Sequence, residues 1–171
     1  MPVETMLSAA CLLAFVGLVL YAAASDIATM TIPNWVSIAV VLLFPLAALL
    51  AHMTPLQIGI HVGIGVLMFL AGFALFSMGV LGGGDVKVIA AASVWTGLAA
   101  LTPFAYATTI AGGVLAAIMI VARRTAKPSE KRPAFLNRLL GPENGIPYAV
   151  AIAVGALASL PTQPVVLALF T

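Results

Sequence analysis

The sequence predicts an all-α, polytopic integral membrane protein of about six transmembrane helices, on three observations: composition, the length of the apolar runs and the placing of the charges. Of 171 residues, 63% are hydrophobic and only 7% are charged, and the mean hydropathy is +1.21. A soluble domain carries about 25% charged residues, so the bilayer is the solvent for this chain. A helix needs roughly 20 apolar residues to cross a hydrocarbon core of about 30 Å. Residues 1–171 therefore form one membrane domain, with no room for a sizeable soluble one.

Charges and prolines divide the apolar runs. The first helix is expected over about 6–24, with Asp26 following at its end. Ala22-Ala23-Ala24 has the look of a cleavage site. Yet Glu4 and no basic residue precede the run, and its uncharged stretch from Thr5 to Ser25 exceeds the about 7–15 residues of a signal-peptide core, so it is read as a retained helix. Pro33-Asn34 opens a second helix, 35–51, with Asn34 a candidate N-cap and Trp35 at interface depth. A third, 56–78, ends in the glycine segment 79–84. A fourth, 85–100, breaks at Thr102-Pro103 before a fifth, 104–122. A basic loop, 123–143, leads to a sixth helix, 146–160. The apolar residues from Pro164 to Phe170 either extend it past Pro161 or lie along the interface.

All basic residues except Lys87 lie between Arg123 and Arg138: Arg123, Arg124, Lys127, Lys131, Arg132 and Arg138. A net charge of +2 is too small to suggest a nucleic-acid partner, and the cluster reads as a cytoplasmic loop by the positive-inside rule. Counting back from that loop puts both termini outside and brings Asp26 and Asp85 to one membrane face, the cytoplasmic one.

Those two aspartates stand apart from the other acidic residues. Glu4 lies in the N-terminal tail, and Glu130 and Glu143 lie in the basic loop, where solvated pairing suffices. Asp26 and Asp85 each sit at a helix end flanked by apolar sequence, and carboxylates there are expensive unless hydrated, paired or functional. Two carboxylates in one partly dry site share a proton, the arrangement aspartyl hydrolysis uses. Gly82-Gly83-Gly84 before Asp85 leaves room for an extended peptide to approach. The structural alternatives, a glycine hinge with Asp85 capping a helix and Asp26 ending one, stay open on these features alone.

Here the residues match a family. Gly82-Gly83-Gly84-Asp85-Val86-Lys87 resembles the GxGD motif of intramembrane aspartic proteases, in the GxGDxK form of type IV prepilin peptidases. Ser25-Asp26 followed by Ile32-Pro33-Asn34 resembles that family's other aspartate segment. Gly145-Ile146-Pro147-Tyr148 with Ala151 is similar to its PYxxA stretch. The resemblance runs in order over nearly the whole chain. It implies that Asp26 and Asp85 are the catalytic pair, with Gly82, Gly83, Gly84, Pro33, Asn34, Lys87, Pro147 and Tyr148 binding substrate or supporting the loops. It implies cleavage of a short basic leader from prepilins or pseudopilins at the cytoplasmic side of the inner membrane, without metal or other cofactor. The small size is most similar to the Flp (tight-adherence) pilus branch. The cysteine-bearing domain that accompanies N-methylation in larger members is not seen, so methyl transfer is not expected.

The remaining polar residues carry blander readings. Lys87 lies two positions after Asp85, on another helix face, and is expected to snorkel to the interface. His52 and His61 fall on the outer half, far from the aspartates, and no metal site is expected there. Glu143 and Asn144 either face the site or serve packing and capping. Cys11 is a packing residue that allows no internal disulfide. Gly63, Gly65, Gly72, Gly112 and Gly113 permit close helix packing. Two other readings compete with the peptidase. One is a proton- or ion-coupled transporter, which would place broken helices at mid-membrane. The other is a non-enzymatic assembly factor for a pilus or secretion machine, which would tolerate Asp-to-Asn changes.

Overall fold

Uninterrupted apolar sequence leaves the backbone no partner but itself in a bilayer, and the chain answers with helices. The computed structural model describes residues 3–126, 129, 132–141 and 144–167. Lys127, Glu130, Lys131, Glu143 and Phe170, which figure in the readings above, lie outside the described residues. Helix α1 spans Val3–Thr29, α2 Asn34–Leu50, α3 Pro55–Ser77 and α4 Gly83–Thr125. They are followed by α5 (Ala134–Leu140), α6 (Ala149–Ser159), a 3-10 turn over Leu160–Thr162 and α7 (Pro164–Leu167). Three of them, α1, α3 and α4, are long and apolar enough to cross a membrane, and α2 and the segment Ala149–Thr162 are shorter apolar helices. The described fold is all-helical, that of a polytopic membrane protein.

Helix α1 runs further than the expected 6–24, so Asp26 lies inside its last turn. Nothing between Ala24 and Thr29 breaks a helix; the stop comes at Met30, whose φ of 55° is left-handed and whose N–H bonds the Asp26 carbonyl at 2.8 Å. The N-cap of α2 is Pro33, not Asn34, because the Asn34 side chain is engaged elsewhere: its Oδ1 accepts from Lys87 Nζ at 2.9 Å. Helix α3 begins with a capping box, Thr54 against Gln57, and Pro55 occupies its first turn.

The break expected at Thr102-Pro103 lies instead at Gly97, whose φ of 54° and ψ of −162° divide α4 into two arms. Pro103 is accommodated within the second arm. Gly97 turns the chain because its φ/ψ is nearly confined to glycine, and a side chain there costs about 1–3 kcal/mol. The His61 ring would also stand 2.3 Å from any Cβ added there. His61 lies near the start of α3, whereas Arg123, in the last turn of α4, bonds the Gly145 carbonyl close to the end of α1. The two arms therefore run in opposite directions, the second antiparallel to α6.

The core surrounds the first arm of α4, which is buried almost continuously from Val86 to Gly97. Phe15 of α1 stacks on Trp95 at 4.4 Å, and Phe44 of α2 meets Trp95 edge-on at 5.9 Å. The Trp95 indole donates to the Val40 carbonyl at 2.9 Å. His61 closes the layer, stacked on Phe44 at 5.1 Å with Nδ1 2.7 Å from the Val94 carbonyl. The helix that carries Asp85 is thus held on several sides. Of the C-terminal apolar residues, those described form the short helix α7 after the 3-10 turn at Leu160–Thr162, and Val165 is fully buried. The opposite end of the bundle is marked by Glu4 and His52, 3.6 Å apart.

Candidate active site

The last turn of α1 and the first turn of α4 meet at one end of the bundle, and each brings an aspartate. Asp26 is 6% exposed, and its Oδ2 accepts from the Ala149 amide of α6 at 3.1 Å. Asp85 follows the glycine segment and is half-buried. The Gly82 amide donates to its carboxylate, and a Cβ on Gly82 would stand 2.7 Å from Oδ2, so a side chain there would displace this carboxylate. The other oxygen, Oδ1, is buried without a hydrogen-bond partner among the described residues.

Both carboxylates line one cavity of about 300 Å³ and lie within electrostatic reach of each other. Its remaining wall is the non-helical segment after α1 (Met30, Thr31, Ile32), the three glycines and the Asn34–Lys87 bridge. The segment is fastened by hydroxyls: Ser25 Oγ donates to the Thr31 carbonyl at 2.8 Å, and Thr29 Oγ1 donates to the Ser25 carbonyl at 2.8 Å. This segment and the glycine turn bound a slot with two carboxylates on its wall.

The structure brings Asp26, Asp85, Gly82, Gly83, Gly84, Asn34 and Lys87 together in that cavity. Pro33 stands just outside as the N-cap of α2. Pro147 is buried and Tyr148 half-buried beyond the wall; their segment delivers the Ala149 amide to Asp26. Tyr148 lies within electrostatic reach of Asp85, and its ring packs where a side chain on Gly112 would stand. Lys87 is exposed but not free, since it holds Asn34. Asn144 does not reach the cavity; its Nδ2 donates to the Arg138 carbonyl at the end of α5.

Two arginines of the basic cluster have specific backbone partners. Arg123 Nε donates to the Leu139 carbonyl at 3.0 Å and Nη2 to the Gly145 carbonyl at 2.7 Å. Arg138 Nη1 donates to the Ala28 carbonyl at 2.6 Å, two residues past Asp26. Together they tie α4, α5, the segment before α6 and the end of α1 into one frame around Asp26. Their clustering in sequence was visible; the carbonyls they reach were not.

An all-helical membrane bundle with a polar cavity lined by two aspartates at one end defines the class: a polytopic membrane protein with a candidate carboxylate site. The chain belongs to the type IV leader peptidase family, whose family model matches residues 13–120. The match includes both aspartates and the glycine segment and ends before Pro147. No curated protein and no solved structure matches the chain. Membership gives it a type IV prepilin leader peptidase-like function, acting on prepilin-type substrates.

Proposed function

We propose that this chain is an intramembrane aspartic endopeptidase that removes the short N-terminal leader of Flp-type prepilins at the cytoplasmic face of the inner membrane. The observation that carries the reading is the shared cavity of Asp26 and Asp85. A carboxylate pair holding one proton acts as a unit. The ionised member takes a proton from water as the water oxygen attacks the scissile carbonyl. The protonated member gives its proton to the carbonyl oxygen. Collapse of the tetrahedral intermediate breaks the C–N bond, and the leaving amine takes up the proton that water gave. The buried, unpartnered Asp85 Oδ1 is a suitable acceptor for that water or for the shared proton.

The face is argued from charge. Arg123 and Arg138 bond backbone at the aspartate end of the bundle, and the positive-inside rule favours the cytoplasm for that end. Both termini then lie outside. The test is co-expression with a prepilin, following the loss of leader mass for wild type, Asp26→Ala and Asp85→Ala at matched membrane levels. Cleavage by wild type alone supports the reading; cleavage by all three ends it.

A further inference from the structure

Among the described residues, the ionisable side chains that line the carboxylate cavity are Asp26, Asp85 and Lys87. Lys87 is the one cation of the three, yet it makes no ion pair with either carboxylate among the described residues. Its Nζ donates instead to Asn34 Oδ1 at 2.9 Å, a bond from the first arm of α4 to the first turn of α2. Both residues are exposed, so packing does not fix the ammonium; the bond does. A lysine carries a compact charge on a flexible four-carbon stem, and the acceptor that holds it decides where the charge sits. A cation within about 4–6 Å of a carboxyl lowers its pKa by about 1–3 units. An ammonium turned into this cavity would therefore ionise both aspartates and remove the one proton they share.

We propose that Asn34 is a positioning residue: its amide oxygen holds the Lys87 ammonium away from Asp26 and Asp85, so that the pair keeps its shared proton. The proposal rests on the peptidase reading above. The other charged or titratable groups near the pair do not take the part of Lys87. Arg123 and Arg138 are turned to the backbone carbonyls of Leu139, Gly145 and Ala28. Tyr148, ahead of α6, is within electrostatic reach of Asp85 but carries no charge near neutral pH. Tyr21 of α1 packs on Trp35, and α2 has no ionisable side chain. The histidine of α3, His61, is stacked on Phe44 in the Trp95 layer. Lys87 is thus the cation whose placing decides the charge of the pair, and Asn34 is what places it.

Two measurements on the full chain in detergent test this. The first is the pH profile of kcat/KM on a soluble leader-junction peptide. Asn34→Ala and the nearly isosteric Asn34→Leu are each expected to move both limbs to lower pH by about one unit or more, because a released ammonium favours the ionised carboxylates. Asn34→Asp keeps an acceptor for the ammonium, and its limbs are expected not to move that way. In a Lys87→Met background there is no charge to release, so adding Asn34→Ala is expected to move the limbs no further. An acid shift that persists without Lys87 would make Asn34 a structural residue and overturn the proposal. So would unmoved limbs in both Asn34→Ala and Asn34→Leu. The second measurement needs no substrate: the infrared band of the protonated carboxyl, assigned by its loss from Asp85→Asn, is titrated in the same variants. It is expected to vanish about one pH unit lower in Asn34→Ala than in wild type, and at one pH in Lys87→Met with or without Asn34→Ala. That infrared shift in a chain that cleaves no prepilin would keep the positioning role and sink the peptidase reading. Cleavage with both readouts unmoved by Asn34→Ala would do the reverse.

Discussion

The Ala149 amide donates to Asp26 Oδ2 at 3.1 Å, a bond between residues 123 positions apart. It joins the end of α1 to the start of α6 and orients a carboxylate that is 6% exposed. The second aspartate is oriented locally instead, by the glycine turn that precedes it.

Asp26→Asn and Asp85→Asn preserve shape and remove charge. Each is expected to reduce leader cleavage by at least about a thousandfold, since groups acting as a unit fail together. Combining them should add little. Rates near wild type from either variant, at normal membrane levels, would favour the assembly-factor alternative.

Because the pair works with one proton between two carboxylates, kcat/KM is expected to rise and then fall with pH. The profile is read with a soluble leader-junction peptide in detergent. A flat profile across the acidic and neutral range would argue against a shared-proton mechanism.

Arg123→Lys keeps the positive charge that sets orientation but cannot reach both the Leu139 and Gly145 carbonyls. The expected result is correct insertion with kcat lowered about tenfold and KM little changed. Wild-type kcat would reduce Arg123 to a topology signal.

Gly82→Ala places a methyl group 2.7 Å from Asp85 Oδ2, so the carboxylate or the loop must shift. A loss of about tenfold or more in kcat is expected, with unchanged thermal stability in detergent, because Gly82 is exposed.

Gly97→Ala strikes the fold instead. A side chain at this φ/ψ costs about 1–3 kcal/mol, and the added Cβ meets the buried His61 ring. The midpoint of thermal unfolding in detergent is expected to fall by several degrees, at about 4 °C or less per kcal/mol for a chain of this size. An unchanged midpoint would mean that the turn can re-form without glycine.

Much of this was legible from the order of residues. Hydropathy reports the solvent directly, so the membrane class and the helical runs needed no contacts. Asp26 and Asp85 stood out because a carboxylate in apolar sequence is costly wherever it packs. The segment around Asp85 carried its own signal, since three glycines before an acid restrict the local backbone very little. The helix break was misplaced because proline is the stronger local breaker, whereas Gly97 turns only where the His61 ring covers it. Asn34 looked like a cap until Lys87 claimed its side chain.

The sequence by itself determined an all-helical membrane protein with two exceptional aspartates, because composition and hydropathy act residue by residue. Only the tertiary structure decided that both carboxylates line one cavity, that the Ala149 amide holds Asp26, and that Arg123 and Arg138 frame the site rather than only orient the chain. Those contacts depend on how closely helices approach, and small residues such as Gly112 and Gly155 set that distance without leaving any periodic pattern to read.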